Sequence, residues 1–177
     1  MDQGGIRRSL ASAVAYLNEH PDEAAYTDSS AVARIEHGLR CRIEGPGGES
    51  AETDMPASVG GGGEAPSAGW LFRAALAGCV ATLIAMRAAQ ESLALGGLEV
   101  TVDSQSDDRG ILGINENVPA GPLSIRVAVR ITTAENTPAD RLEEIVRWGV
   151  AHCPVSEAAG RAVPVRLEIE TGEASPR

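Results

Sequence analysis

SAGWLFRAALAGCVATLIAMRAAQES, residues 67–92, is the stretch on which the fold turns. Between Arg73 and Arg87 every residue is apolar or small except Thr82, so no face is built for water, and such a helix must be covered on all sides. Ala, Leu, Met and Arg lose little side-chain entropy in a helix. Ser67, after Pro66, is a candidate N-cap, and Gly96 and Gly97 lie beyond the expected end. At helical rise the segment would run roughly 39 Å, against about 40 Å for the diameter of a compact domain of this length. The uncharged run from Ala74 to Met86 falls short of the roughly 20 residues needed to cross a bilayer. The segment is therefore expected to be the buried central strut of a soluble fold, with no membrane partner.

A chain of 177 residues can bury one sizeable core. Aromatic residues are scarce, so Ala, Val, Leu and Ile must do the packing. The formal charge of −10 argues against a nucleic-acid partner, since phosphate binding needs a basic surface. All basic residues are arginine, and the absence of lysine removes Schiff-base chemistry and the phosphate-loop lysine together. The start, MDQGGIRRSLASAV, lacks the apolar core of a secretory signal, and three cysteines make no disulfide framework. A cytoplasmic protein is expected.

Ile6, Leu10, Val14 and Leu17 recur at helical spacing, which predicts an amphipathic helix over 6–19 in an N-terminal extension of residues 1–30. The main domain, 31–177, opens with period-two alternation from Ala33 to Glu44, a half-buried strand with Ile35, His37, Cys41 and Ile43 on one face. Residues 51–59 could return as a second strand toward the glycines Gly60–Gly63. Alternation also predicts strands over 98–103, 123–132 and 163–169. A helix is expected from Thr137 (N-cap) and Pro138 to about His152, then a short one with Cys153 as N-cap and Pro154 at its first position, ending at Gly160, and a polar tail closes the chain. This order indicates an α+β fold with mostly antiparallel sheet packed on the long helix.

Cysteine is the residue type to weigh for chemistry. The chain has no G-x-S-x-G elbow, no C-x-x-C pair and no H-E-x-x-H, and His20, His37 and His152 lack ligand spacing, so no metal site is expected. Cys153 at a helix start would have its thiolate favoured by unpaired amides, with His152 a possible added positive charge; the alternative is an inert buried cap. Cys79, inside the apolar helix, reads alone as a core residue, and Cys41 on the apolar face of its strand more so. Gly60–Gly63 ahead of a helix raises a phosphate-loop alternative, without the usual motif.

Two segments together are more specific. WLFRAALAGCVATLIAMRA, carrying Cys79, and AHCPVSEA, carrying Cys153, resemble the two signature cysteine motifs of the OsmC/Ohr family, and the elements between them are similar in order. The resemblance covers roughly residues 33–171. It implies the OsmC-like fold: antiparallel sheets around a long buried central helix in an intertwined homodimer, with two sites at the subunit interface. It also implies a cofactor-free thiol peroxidase of the oxidative stress response. Cys79 would attack an organic hydroperoxide, Cys153 would resolve it as a disulfide, and an external dithiol would reset the pair. Family members usually carry Asn-Pro-Glu at the start of the long helix, the glutamate orienting an arginine that activates the first cysteine. Here those positions read Ser67, Ala68, Gly69. Glu64 could substitute if its loop folds back, and Arg40, Arg34, Arg42 and Arg73 are the candidate cations. The alternative is an OsmC-fold homodimer with buried, inert cysteines and a ligand-binding or structural role.

Overall fold

The computed structural model describes residues 3–133 and 137–172; the end of the expected polar tail, 173–177, lies outside them. Helix α1 (Gln3–Glu19) is followed by strands β1 (Val32–His37), β2 (Arg40–Glu44) and β3 (Ser50–Thr53) and the long helix α2 (Ala68–Gln90). Strand β4 (Leu95–Gln105), the single turn α3 (Asp108–Ile111), strand β5 (Ser124–Thr133), helix α4 (Ala139–Ala151) and helix α5 (Pro154–Gly160) complete it. The fold is α+β, with β1-β2-β3 and β4-β5 forming two antiparallel sheets.

Helix α2 starts where its capping signal lies: the Ser67 hydroxyl accepts the Trp70 amide at 3.2 Å. Leu76, Val80, Ile84 and Ala88, spaced four apart, form a buried stripe that joins Ile145 and Cys153, and β4 and β5 add Leu98, Val100, Val127 and Val129 against it. Helix α4 packs tightly on α2 at Gly149, where an added Cβ would sit 3.0 Å from the Ile84 backbone nitrogen, so only glycine allows this approach. Helix α1 docks its first turns on the far end of α2, with Gln3 Nε2 donating to the Leu93 carbonyl at 2.8 Å and Arg7 to the Ser92 hydroxyl at 2.6 Å.

Coverage of α2 is one-sided in the single chain. Ala75, Gly78 and Thr82, on the face away from the stripe, are exposed, contrary to the expectation of cover all round. Small side chains make that exposure inexpensive, and Thr82 satisfies its hydroxyl by donating to the Gly78 carbonyl at 2.9 Å. By length and composition α2 could also cross a bilayer; here β4 and α4 occupy its buried stripe.

Five local expectations are corrected. The single strand over 33–44 is a hairpin: Gly38, at φ +58, and Leu39 form the turn, and His37 pairs with Arg40. The alternation survives because Ile35 faces Cys41 and Ala33 faces Ile43, so apolar residues of both strands share one side. That side is not half-buried along β1, where Ile35 is 65% exposed. The closing strand over 163–169 is not formed; Val165, Leu167 and Ile169 are exposed, because alternation specifies a strand's faces without supplying a neighbour to pair with. Helix α4 begins after Pro138 and has no side-chain cap, so Thr137 does not act as one. The return strand after Ser50 ends at Thr53, where Asp54 takes over.

Candidate functional site

Asp54 organises the glycine run. Nearly buried at 4% exposure, its carboxylate accepts the amides of Met55 at 2.7 Å and of Gly62 and Glu64 at 3.1 Å. The Glu64 amide is the chief reason the Asp54 carboxyl lies below its ordinary pKa; burial opposes the shift, and the Met55 and Gly62 amides and Arg40 add to it. Gly60, Gly61 and Gly63 donate to the carbonyls of Ala57, Pro56 and Met55. Every amide from Gly60 to Glu64 is thus spent on the loop's own acceptors, which leaves none for a phosphate. The loop holds Glu64 against Arg40: Nη1 of Arg40 lies 2.5 Å from Glu64 and Nη2 2.7 Å from Glu52.

Cys79 and Cys153 are brought together. Cys153, fully buried, caps α5 as its position predicts, its sulfur accepting the Ser156 amide at 3.4 Å. Cys79, one turn along α2 from Leu76 and partly buried, packs against the buried cluster that contains Cys153. Burial first, and the neighbouring Cys153 thiol second, push the Cys79 thiol above its ordinary pKa; the Val155 amide acts in the opposite sense. Both thiols are free. Cys41 lies on β2, between Ile35 of β1 and Thr53 of β3, in the other sheet.

Among the described residues no arginine contributes to the Cys79 shift. Arg73 donates to the Ser104 hydroxyl at 3.4 Å, Arg34 pairs with Glu44, and Arg42 with Glu44 and Glu52. Arg40 alone of the four keeps a buried guanidinium nitrogen, Nε, with no hydrogen-bond partner. The His152 ring stacks on Trp148 with centroids 4.1 Å apart, and its Nδ1 lies 2.8 Å from the Trp148 carbonyl.

Residues 61–168, which run from the glycine loop through α2 and past α5, match the family of OsmC-like proteins. The chain belongs to that family. Solved structures agree on the fold. An OsmC-like protein from Mycoplasma pneumoniae superposes with a TM-score of 0.63 at 12% identity, covering 77% of this chain and 89% of that one. An organic hydroperoxide resistance protein OsmC from Legionella pneumophila gives 0.56 at 22% identity, over 76% and 90%. An organic hydroperoxide resistance protein from Elizabethkingia anophelis gives 0.56 at 15%, over 77% and 90%. No curated protein matches the sequence.

Proposed function

We propose that this OsmC-like chain is a thiol peroxidase that reduces organic hydroperoxides as a homodimer, with Cys79 and Cys153 as its redox pair. The observation that carries it is that two free thiols, Cys79 partly buried and Cys153 buried, meet in one core cluster, where Cys79 packs against the residues around Cys153. Hydroperoxide resistance named for two structural relatives supports the substrate class.

The Cys79 thiolate attacks the distal oxygen of R–O–O–H. The O–O bond breaks, sulfur becomes sulfenic acid, and the alkoxide takes a proton to leave as the alcohol. Cys153 then attacks the sulfenic sulfur, a disulfide forms and water departs. An external dithiol returns both thiols by exchange and carries away the two oxidising equivalents.

Two observations support a second copy of the chain. The Ala75, Gly78 and Thr82 face of α2 lies open, and the alternating segment 163–169 pairs with no strand among the described residues. Association would also allow an arginine from the partner to reach Cys79. Arg40 is the proposed one, since Glu52 and Glu64 fix two of its nitrogens and leave Nε free. Glu64 then takes the place of the acid missing at Gly69.

The raised pKa of Cys79 and the lack of an arginine acting on it favour the second reading, an OsmC-fold protein with inert thiols. One experiment separates the two. After stoichiometric cumene hydroperoxide, mass spectrometry should show a Cys79–Cys153 disulfide within the reaction's first turnover. Persistence of both thiols, with no peroxide consumed in the presence of dithiols, would leave the inert reading standing.

A further inference from the structure

The corner between α4 and α5 consists of two residues, His152 and Cys153. With so short a connection, the place of the Cys153 sulfur follows from how that corner is held. His152 is pinned at two points: its ring is stacked on Trp148, 4.1 Å away and tilted by 14°, and Nδ1 sits 2.8 Å from the Trp148 carbonyl, which requires the proton to be on Nδ1. The same carbonyl also accepts the His152 backbone amide at 3.0 Å.

Trp148 is tied in turn to the helix that carries Cys79. The Arg87 guanidinium of α2 lies over the indole, 5.1 Å from the ring centroid. Arg87 is itself held by Glu91 at 2.7 Å, and Glu91 also meets Arg141 of α4 at 2.5 Å. A continuous path of contacts therefore runs from α2 through Arg87, Trp148 and His152 to Cys153, while Cys79 stands on the same α2 two turns earlier.

We propose that Trp148 is a positioning residue: gripped by Arg87 and His152, it fixes the corner that sets the Cys153 sulfur against Cys79. This role deepens the thiol-pair reading and rests on it. Trp148 acts through His152, the residue that precedes Cys153. What it changes is the effective concentration of one thiol at the other.

The test is a thiol–disulfide equilibrium that uses no peroxide. In a Cys41→Ser background the protein is equilibrated with reduced and oxidised glutathione, so that two protein thiols and one glutathione disulfide exchange for one protein disulfide and two glutathiones, and the mixture is quenched by alkylation and weighed. Trp148→Phe, which can still stack, should stay within about twofold of the parent effective concentration. Trp148→Ala and His152→Ala should lower it about tenfold or more. His152 is exposed, so its variant tests the idea even if Trp148→Ala fails to fold. Values for His152→Ala within twofold of the parent would overturn the proposal, as would a Phe variant as impaired as Ala, or a parent that forms no internal disulfide at any glutathione ratio. If the parent equilibrium is normal but peroxide is not consumed, the peroxidase reading falls and the positioning role stands.

Discussion

Replacing Gly149 by alanine puts a methyl group into the tight contact between α4 and α2 at Ile84. The new carbon would lie 2.5 Å from Cγ1 of Ile84, 3.0 Å from its backbone nitrogen and 3.2 Å from its Cα. Ordinary contact begins near 3.4 Å, so α2 or α4 must yield by about 0.4 Å against backbone, and the Ile84 side chain by more than twice that. Overpacking of this kind costs about 1–3 kcal/mol. Alanine returns about 1 kcal/mol through its higher helix propensity, which leaves about 0–2 kcal/mol, and the close contacts to backbone place the expected loss in the upper half of that range. For a chain of this length each kcal/mol lowers the melting temperature by about 2–4 °C. Urea unfolding followed by far-ultraviolet circular dichroism, at one fixed protein concentration, gives the difference directly. Ile84→Ala, costly alone at about 2–5 kcal/mol, removes the atom that clashes, so Gly149→Ala should do less harm in that background than in the parent. A Gly149→Ala protein as stable as the parent, or equal effects in both backgrounds, would refute the reasoning.

Cys79→Ser should reduce hydroperoxide consumption below about one hundredth of the parent, whereas Cys153→Ser should leave a sulfenic acid on Cys79 that dimedone traps in mass spectra. With its pKa raised, Cys79 in a lone subunit should react with iodoacetamide at a rate still climbing above pH 9, and an earlier plateau on association would mark the arrival of a cation. Asp54→Asn should speed hydrogen exchange at the Gly62 and Glu64 amides by at least about tenfold at neutral pH, while the Gly60 amide, bound elsewhere, keeps its protection. Because the Asp54 carboxyl is lowered on folding, its contribution is complete above the unfolded carboxylate pKa of about 3.9 and is lost as pH falls through the lower folded value, so parent and Asp54→Asn should converge in acid. Asp107, lowered to about 2 chiefly by Arg109, should follow the same course, read as loss of protection at the Arg109 amide between about pH 4 and pH 2.

Elements set by local chemistry were legible. Ser67 capping α2, Cys153 capping α5 and the alternation of β5 each follow from a few consecutive residues, and the structure places them as read. The cysteine motifs were legible too, since the family resemblance rests on them. What escaped was set at a distance. Nothing near Asp54 announces that residues eight and ten positions later will bring their amides back to it. Nothing near Gly149 says that Ile84 lies opposite. Trp148 and His152 stand four apart at a helix end, the right spacing to stack, but only the fold supplies Arg87 on the other side. The alternation from Val163 to Ile169 states which side of a strand is apolar; whether a strand exists depends on a neighbour the sequence pattern does not name.

The sulfur that caps α5 is wholly enclosed and yet chemically free. A small maleimide or a fluorogenic disulfide can reach Cys153 only when the turn around it opens, and the attached group then blocks the Ser156 amide from re-forming its bond. Labelling at that position is therefore a stopwatch for breathing motions at the α4–α5 junction, readable at micromolar protein without isotopes. The same logic warns that a dye placed there reports on a junction it has already pried apart.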